Sequence, residues 1–574
     1  MKKAISVLLS VLIITASAAA GLTALASDDG LRIAVASDLH YLHTGEELEG
    51  NIDDEIYWYA NRRAAMETES GFIIDSFLDQ CAADESCDYV LISGDLADSG
   101  KKYIEDHETV AAKLRAFEQA TGKDVFVING NHDAGNWGTS LEDFKRIYAE
   151  FGYDKAITEP RSDCSYAADL GSKYRLIALD SCDPDASTAD GMSAEKLEWV
   201  HAQAKAAKAD GRYPILMMHH NLLDHMPLQR IFSKNFIVRF HNTTAELFAD
   251  WGIRVVLSGH EHCSDATVYT SALGNKIYDF ATTSLTMYPL QYRIIDFTDE
   301  RISYAAETVR SIDTAALSAA VKGYSERQLA LMNEDLSSYA LGFLKAGVQY
   351  RLALSLTMEK MGISEDDFYY DLVKTAVTRM TDILEMPLYG EGSVQQLAAE
   401  YNIEIPDSDY ENGWDLATDL VAAHYAGEES KTLDSPEVTI LLRTVALILK
   451  DVPSTVNDEV LLKSANDLLS KIGIDSISGD LSRLTAKVFG AATPGKYFIV
   501  ALISPILYEF AFDSDGVNDN NGSIEGYEAS QSAPQNVMAN VNRILGRVSL
   551  YFSFFIGYML KRIGLKELKI LNRK

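Results

Sequence analysis

Short apolar runs separated by amphipathic stretches dominate the chain from Leu31 to about residue 310. Apolar runs bounded by polar residues and glycine are typical of buried strands, and amphipathic stretches between them are typical of helices. The pattern therefore predicts an α/β layered domain. The runs that matter most for function are residues 33–36, 89–92, 125–128, 215–218 and 255–257.

The pattern changes to helical periodicity after residue 310 and keeps it almost to the end. Since 574 residues are too many for one hydrophobic core, we expect two domains, at residues 28–310 and 311–574. The second should be mainly α-helical. It carries no catalytic motif, so we interpret it as a cap or scaffold for the first, with a binding module as the alternative.

The N-terminus has the pattern of a signal peptide over residues 1–26. Lys2 and Lys3 precede an apolar run, and small residues ending in Ala26 follow it. We therefore expect an exported protein, secreted or associated with the cell surface. An uncleaved N-terminal anchor is the alternative, although the apolar run is short for a spanning helix.

The formal net charge of −33 argues against nucleic acid as the main partner. The C-terminal tail, residues 541–574, has the opposite character, because it is basic and rich in aromatic residues. Such a tail could lie on an anionic membrane surface as a peripheral contact. A buried C-terminal helix is the alternative interpretation.

Polar residues of metal-ligand type follow each of the five apolar runs. Imidazole, carboxylate and amide oxygen suit Mn²⁺, Fe²⁺ or Zn²⁺, and so many candidates suffice for two cations that share a bridge. A two-metal site of this kind hydrolyses phosphate esters, with a metal-activated water as nucleophile. The candidate ligands are Asp38, His40, Asp95, Asn131, His219, His260 and His262.

The ordered motifs D-x-H, G-D-x-x-D, G-N-H-D, a histidine after the fourth strand and G-H-x-H resemble the calcineurin-like metallophosphoesterase superfamily over about residues 30–310. The resemblance implies a β-sandwich flanked by helices. It also implies that a metal-bridging hydroxide attacks phosphorus, while His132, oriented by Asp98, assists the leaving group. One metal would be held by Asp38, His40, Asp95 and His262, and the other by Asp95, Asn131, His219 and His260, so that Asp95 is the bridge.

Details of the motifs narrow the resemblance to the secreted bacterial phosphodiesterase-like branch. Asp98 stands where purple acid phosphatases have an iron-binding tyrosine, and Ala134 follows where secreted 5′-nucleotidases continue with Phe-Asp. Asn221 replaces the proline of a His-His-Pro motif, which leaves His220 as an alternative to His219. We expect a phosphodiesterase. The alternatives are a phosphomonoesterase or nucleotide-pyrophosphate hydrolase with the same site, and a surface binding protein with a relic metal domain.

Further candidates for ligand binding lie outside these motifs. Arg230, Arg239 and Tyr41 could contact the phosphate-ester substrate; the alternatives are solvated charges for the two arginines and core packing for the tyrosine. The aspartate-rich segment 513–522 resembles a calcium-binding loop, with Asp519, Asn521 and Glu528 in register. Val517 occupies the first ligand position, where an acid is needed, so a solvated acidic loop is the alternative.

Overall fold

The structure is a computed structural model that describes residues 30–43, 64–135, 137–158, 160–183, 191–226, 229, 235–355, 358, 364–366, 370–432, 434–450, 511–513, 515–527, 546 and 548. The predicted signal peptide and nearly all of the basic tail at 541–574 lie outside these residues. Both stay predictions. Among the described residues, no helix combines the length and the apolar character needed to cross a membrane.

Two six-stranded sheets form the centre of the described structure. Their strands are β1 (Leu31–Ala36), β2 (Tyr89–Ile92), β3 (Asp124–Val127), β4 (Tyr166–Leu170), β5 (Tyr174–Leu179), β6 (Tyr213–Met218), β7 (Val255–Ser258), β8 (Asp265–Thr270), β9 (Lys276–Ala281), β10 (Gln291–Phe297), β11 (Arg301–Thr308) and β12 (Asn521–Glu525). The first sheet has the order β12-β11-β10-β1-β2-β3, and the second has the order β4-β5-β6-β7-β9-β8.

Helices cover the sheets and continue beyond them. Those of the sheet region are α1 (Ser70–Ala83), α2 (Ile104–Thr121), α3 (Leu141–Ile147), α4 (Ala194–Ala209) and α5 (His241–Trp251). Those of the C-terminal region are α6 (Thr314–Ala320), α7 (Glu326–Glu334), α8 (Leu336–Ser355), α9 (Tyr370–Glu385), α10 (Val394–Glu400), α11 (Gly413–Ala426) and α12 (Pro436–Lys450). The predicted α/β sandwich with a further helical part is confirmed.

The apolar runs form strands because both faces of each strand are covered. In β6, Ile215 and Met217 pack into the core between the sheets, whereas Leu216 and Met218 pack into a second core beneath α4 and α5. A strand buried on both faces has no polar face, so its sequence is a continuous apolar run rather than an alternating one.

The strand directions bring the predicted ligands together. β1, β2 and β3 are parallel neighbours in the first sheet, and β6 and β7 are parallel neighbours in the second. Each of the five is followed by one of the metal-ligand motifs. The carboxyl ends of parallel strands lie at one edge of a sheet, so the motifs converge at one end of the sandwich.

The C-terminal region is interwoven with the sheets. Strand β12 pairs antiparallel with β11 at the edge of the first sheet, and Met332, Leu336 and Phe343 of α7 and α8 belong to the core between the sheets. Helices α9 to α12 enclose a smaller core of their own. The division into domains at residue 310 stays a prediction, because elements from both sides of it share one core.

Candidate metal centre

Three overlapping groups of acid and histidine side chains lie at the carboxyl end of the sandwich. In each group, the potential ligand atoms lie within 4.8 Å of one another. The groups share Asp95 and His40, so they form one continuous cluster rather than separate sites. They are Asp38 with His40 and His262, His40 with Asp95 and His132, and Asp95 with His219 and His260.

The backbone of this cluster is unusual, because most of the predicted ligands have positive φ. Five of them lie in the left-handed region: Asp38, His40, Asp95, His260 and His262, with φ between 41° and 69°. A non-glycine residue rarely adopts this conformation, and such strain concentrates at functional sites.

Glycines in the motifs make room for the ligands. A Cβ atom on Gly259 would overlap the side chains of Ser37 and Asp38, and one on Gly130 would overlap Asp95. Gly94 has φ of 105° and lies against the ring of His219. The glycines of the motifs are therefore required by the close approach of the ligand side chains.

Three histidines have a polar group or sulfur atom beside Nδ1, which leaves Nε2 to point into the cluster. The Nδ1 atom of His219 lies 3.0 Å from the carbonyl oxygen of Ser93, and that of His262 lies 2.9 Å from the sulfur of Met287. The Nδ1 atom of His40 lies 3.3 Å from the carboxylate of Asp98. A partner at Nδ1 fixes the tautomer and orientation of a metal-binding histidine.

Asp95 lies between the two predicted sets of ligands. Its Oδ1 accepts a hydrogen bond from the backbone N–H of His132, at 2.8 Å. Its Oδ2 lies 3.3 Å from Nε2 of His219 and 3.8 Å from Nε2 of His40. One carboxylate oxygen therefore faces both sets, as the bridge between two cations would.

Asp38 has a similar arrangement at the other end of the cluster. Its Oδ2 accepts hydrogen bonds from the Ser37 hydroxyl and from the His260 backbone N–H. Its Oδ1 faces Nε2 of His262 at 3.1 Å, and the Nε2 atoms of His40 and His262 lie 3.2 Å apart. Two imidazole nitrogens and one carboxylate oxygen thus converge on a single point.

The chemistry of these groups fits divalent cations. The Nε2 atom of His260 is buried and has no hydrogen-bond partner among the described residues. Burial, together with His220 and His219, holds the pKa of His260 well below its usual value, which keeps this imidazole neutral. A buried neutral nitrogen without a hydrogen-bond partner is suited to bind a metal ion.

The acids of the cluster are held ionised. Burial alone would raise the pKa of Asp38, but His262 and His219 outweigh it and hold the pKa well below its usual value. Burial lowers the pKa of His219, yet Asp95 and Asp38 raise it to about 9. A cation that binds here must therefore displace a proton from His219.

The structure distinguishes between the two histidines that follow β6. The Nε2 atom of His219 lies 3.0 Å from Oδ1 of Asn131, inside the cluster. The ring of His220 instead lies beside Ser181, whose hydroxyl oxygen is 3.0 Å from its Nδ1. Asn221, which stands where a proline was expected, donates hydrogen bonds to the Ser258 hydroxyl and to the Gly259 carbonyl. It therefore ties the end of β6 to the loop that carries His260.

His132 lies at the edge of the cluster, and Asp98 orients it through the backbone. The Nδ1 atom of His132 is 2.7 Å from the carbonyl oxygen of Asp98. The carboxylate of Asp98 lies 3.9 Å from His132 but 3.3 Å from His40. His132 thus contacts the backbone carbonyl of Asp98, whereas the Asp98 carboxylate lies nearer to His40, and the role of Asp98 in orienting His132 stays a prediction.

The exposed ring of Trp137 was not singled out from the sequence. Its edge-to-face contact places the ring centroid 5.7 Å from that of His132, and 52% of the residue is exposed. The turn that carries it is closed by hydrogen bonds from Gly135 N–H to the Thr139 carbonyl and from Thr139 N–H to the Asp133 carbonyl. The signal in the sequence was a large aromatic residue shortly after G-N-H-D, in a segment with the polar and glycine residues of a loop.

The residues proposed for substrate contact have other positions. The ring of Tyr41 packs against Gly71 of α1 and borders the main core. Arg239 donates a hydrogen bond to the Met192 carbonyl at 3.3 Å. Arg230 lies outside the described residues. The structure therefore places Tyr41 in packing and Arg239 in a backbone contact.

The aspartate-rich segment forms hydrogen bonds that link the second sheet to the end of α11. Asp519 accepts a hydrogen bond from Ala266 N–H, and the Asn520 amide donates to the carbonyls of Ala426 and Gly427. Asn521 begins strand β12 and pairs with Ala305. Glu528 lies outside the described residues. Calcium binding by this segment stays a prediction.

Residues 31–264 match the family model of calcineurin-like phosphoesterases. The chain carries a calcineurin-like phosphoesterase domain. With its cluster of aspartate and histidine ligands, which fits two divalent cations, it is a metal-dependent phosphoester hydrolase. The metal ligands predicted from the motifs come from the matched segment.

Solved structures of low sequence identity resemble the chain. One is a dimetal phosphatase from Danio rerio, with 13% identity, a TM-score of 0.37, and coverage of 49% of this chain and 96% of that one. Another is a conserved uncharacterized protein from Streptococcus pneumoniae TIGR4, described as a predicted phosphoesterase, with 14% identity, a TM-score of 0.22, and coverage of 49% and 92%. No curated protein matches the sequence.

Proposed function

We propose that this enzyme is an exported phosphodiesterase with two divalent cations, Mn²⁺, Fe²⁺ or Zn²⁺, in its site. The observation that carries the proposal is the position of Asp95, whose Oδ2 faces both His219 and His40. One cation would be held by Asp38, His40, Asp95 and His262, and the other by Asp95, Asn131, His219 and His260. When bound, such cations neutralise phosphoryl oxygens and acidify water.

The charge of the site suits an anionic ester. Two divalent cations with ionised Asp38 and Asp95 leave about +2 in a buried cluster. This local charge is opposite to the net charge of −33. A phosphoester is therefore attracted to the site despite the acidic surface.

His132 is the proposed acid for the leaving group. Its Nδ1–H donates to the Asp98 carbonyl, so in the imidazolium form Nε2–H is the proton available for the leaving oxygen. The backbone N–H of His132 also holds Oδ1 of Asp95. The same residue thereby couples the position of the acid to that of the bridging ligand.

The preference for a diester rests on the third motif. Asp133 is followed by Ala134 and Gly135 and then by the turn that exposes Trp137, rather than by the Phe-Asp of secreted nucleotidases. The exposed ring offers a contact for the organic leaving group of either kind of ester, so the inferred preference for a diester comes from the motif alone.

The test compares two substrates on one protein. The purified protein is stripped of metal and reloaded with Mn²⁺, and its rates on bis-p-nitrophenyl phosphate and p-nitrophenyl phosphate are measured. Asp95→Asn removes the bridging carboxylate. Asp154→Asn is the matched control, since Asp154 is exposed and lies outside the cluster.

We expect faster cleavage of the diester and loss of both activities in Asp95→Asn, with Asp154→Asn unchanged. Faster cleavage of the monoester would overturn the phosphodiesterase proposal and favour the phosphomonoesterase alternative. A protein that retains no metal and turns over neither substrate would support the relic alternative.

A further inference from the structure

A cavity of about 370 Å³ lies at the opposite end of the second sheet from the metal cluster. It is formed where β6, β7 and β9 begin, by Tyr213, Ile253, Arg254 and Lys276, and by the end of α4 at Lys208. Six residue steps along β6 separate Tyr213 from His219, which corresponds to about 20 Å. The cavity is therefore distinct from the catalytic site.

The charge of this cavity is the reverse of the charge of the protein. Its lining contains four basic residues, Lys208, Arg212, Arg254 and Lys276, and no Asp or Glu. The chain as a whole has 84 acidic and 51 basic residues. Local positive potential in a concave site on an acidic protein concentrates anions.

Three of these cations have no carboxylate partner among the described residues. Arg254 is only 5% exposed, and its guanidinium donates to the backbone carbonyls of Glu525 and Gly526. Lys208 and Lys276 are exposed and form no ion pair within the described chain. Arg212, in contrast, pairs with Asp169 at 3.2 Å. The backbone carbonyls hold the guanidinium of Arg254 without neutralising its charge, so Arg254, Lys208 and Lys276 give the cavity a positive potential.

Three aromatic residues form part of the remaining wall. The ring of Tyr527 stacks on that of Tyr213 at 4.8 Å, and the Tyr527 hydroxyl donates to the Pro214 carbonyl. The guanidinium of Arg254 lies 5.9 Å from the Tyr527 ring centroid. Trp251 also lines the cavity. Aromatic and apolar walls with a small number of polar or charged groups are typical of sites for small ligands.

We propose that this cavity binds a small aromatic anion, whose phosphate or carboxylate group contacts Lys208, Lys276 and Arg254 and whose ring packs against Tyr213 and Trp251. Its volume lies in the lower range of small-molecule sites, which fits a ligand the size of a mononucleotide or smaller. The proposal does not depend on the phosphodiesterase activity.

The test measures binding with the catalytic metals removed. Isothermal titration calorimetry is carried out in EDTA with phenylphosphonate, which cannot be hydrolysed as an ester, and with benzoate, inorganic phosphate and benzyl alcohol. Lys208→Ala and Lys276→Ala remove exposed cations without disturbing the core. Lys205→Ala is the matched control, because Lys205 is an exposed lysine one turn earlier on α4 that does not line the cavity.

We expect phenylphosphonate to bind at one site per chain, with the Kd raised about tenfold by each of the two lining substitutions and unchanged by Lys205→Ala. Benzoate that binds as well as phenylphosphonate would show that the site takes either anionic group. Absence of binding by both aromatic anions, equal binding of benzyl alcohol or of inorganic phosphate, or a Kd indifferent to Lys208→Ala and Lys276→Ala would each overturn the proposal.

Discussion

Replacing Asp98 by asparagine tests which histidine its carboxylate serves. The carboxylate lies 3.3 Å from Nδ1 of His40 and 3.9 Å from Nδ1 of His132, and it accepts a hydrogen bond from the Ser99 hydroxyl at 3.0 Å. His132 is held by the Asp98 backbone carbonyl, which an asparagine retains. The substitution should therefore act on metal binding through His40 rather than on the acid.

The magnitude follows from the loss of one buried negative charge behind a ligand. The asparagine carbonyl can still face His40 while its amide donates to Ser99, so the ring keeps its tautomer and loses only the charge. Loss of such an outer partner lowers metal affinity by about 10-fold to 100-fold, or about 1.4 to 2.7 kcal/mol.

The assay separates affinity from turnover. Metal dissociation constants are measured by competition with a chelating dye, and kcat is measured at saturating metal. Ser99→Ala is the control, because it removes a hydrogen bond from the same carboxylate but keeps its charge, and it should change metal affinity less than about threefold. A kcat that falls 100-fold or more in Asp98→Asn, with metal affinity unchanged, would refute the reasoning and assign the carboxylate to His132.

Three other outcomes can be checked. Gly259→Ala should lower the free energy of unfolding by about 2 kcal/mol or more and weaken metal binding, because the added Cβ overlaps the side chains of Ser37 and Asp38. Gly342→Ala, in an open helical position, is the control and should not destabilise the protein. Chemical denaturation measures both. Trp137→Ala should raise KM for aryl esters about threefold to tenfold and leave KM for methyl esters nearly unchanged; equal effects on both would contradict stacking. Burial raises the pKa of Glu69 to about 7, against the lowering effect of the Tyr324 hydroxyl bond, so the folded state favours the protonated form. The contribution of Glu69 to the free energy of unfolding is complete below about pH 4.5 and is lost as pH rises through about 7. The free energy of unfolding of the metal-free parent should therefore fall by about 3 kcal/mol between pH 5 and 8, and that of Glu69→Gln should not show this fall. Parallel curves for the two proteins would contradict the raised pKa of Glu69.

The sequence allowed prediction of the strands and of the candidate ligands that follow them. The run at 215–218 is apolar throughout because β6 is buried on both faces, and that signal is local. The histidine at 219 was favoured over its neighbour by order of motifs alone. Its Nε2 atom lies 3.0 Å from Oδ1 of Asn131, and its role as a metal ligand stays a prediction.

What could not be predicted depends on contacts between distant residues. Strand β12 has only Ile524 buried, so its sequence carries almost no pattern of a strand, and it exists because β11 offers an unpaired edge. The distances from the Asp98 carboxylate to Nδ1 of His40 and to Nδ1 of His132 differ by less than 1 Å, and no sequence pattern predicts which is shorter. The basic cavity is assembled from four separate parts of the chain, none of which has a motif.

The buried Arg293 connects the loop that follows the last metal-ligand motif to a segment that lies much later in the chain. Its guanidinium donates to the Asp519 carbonyl, to the Ser264 hydroxyl and to the Ala281 carbonyl, and so joins a late segment to the loop that follows His262. During translation, the catalytic loops would emerge more than two hundred residues before the partner that fixes them. A chain that ends before Asp519 would contain all seven predicted metal ligands but would lack the contact between Arg293 and Asp519. We therefore expect this contact to help position the loop that follows His262.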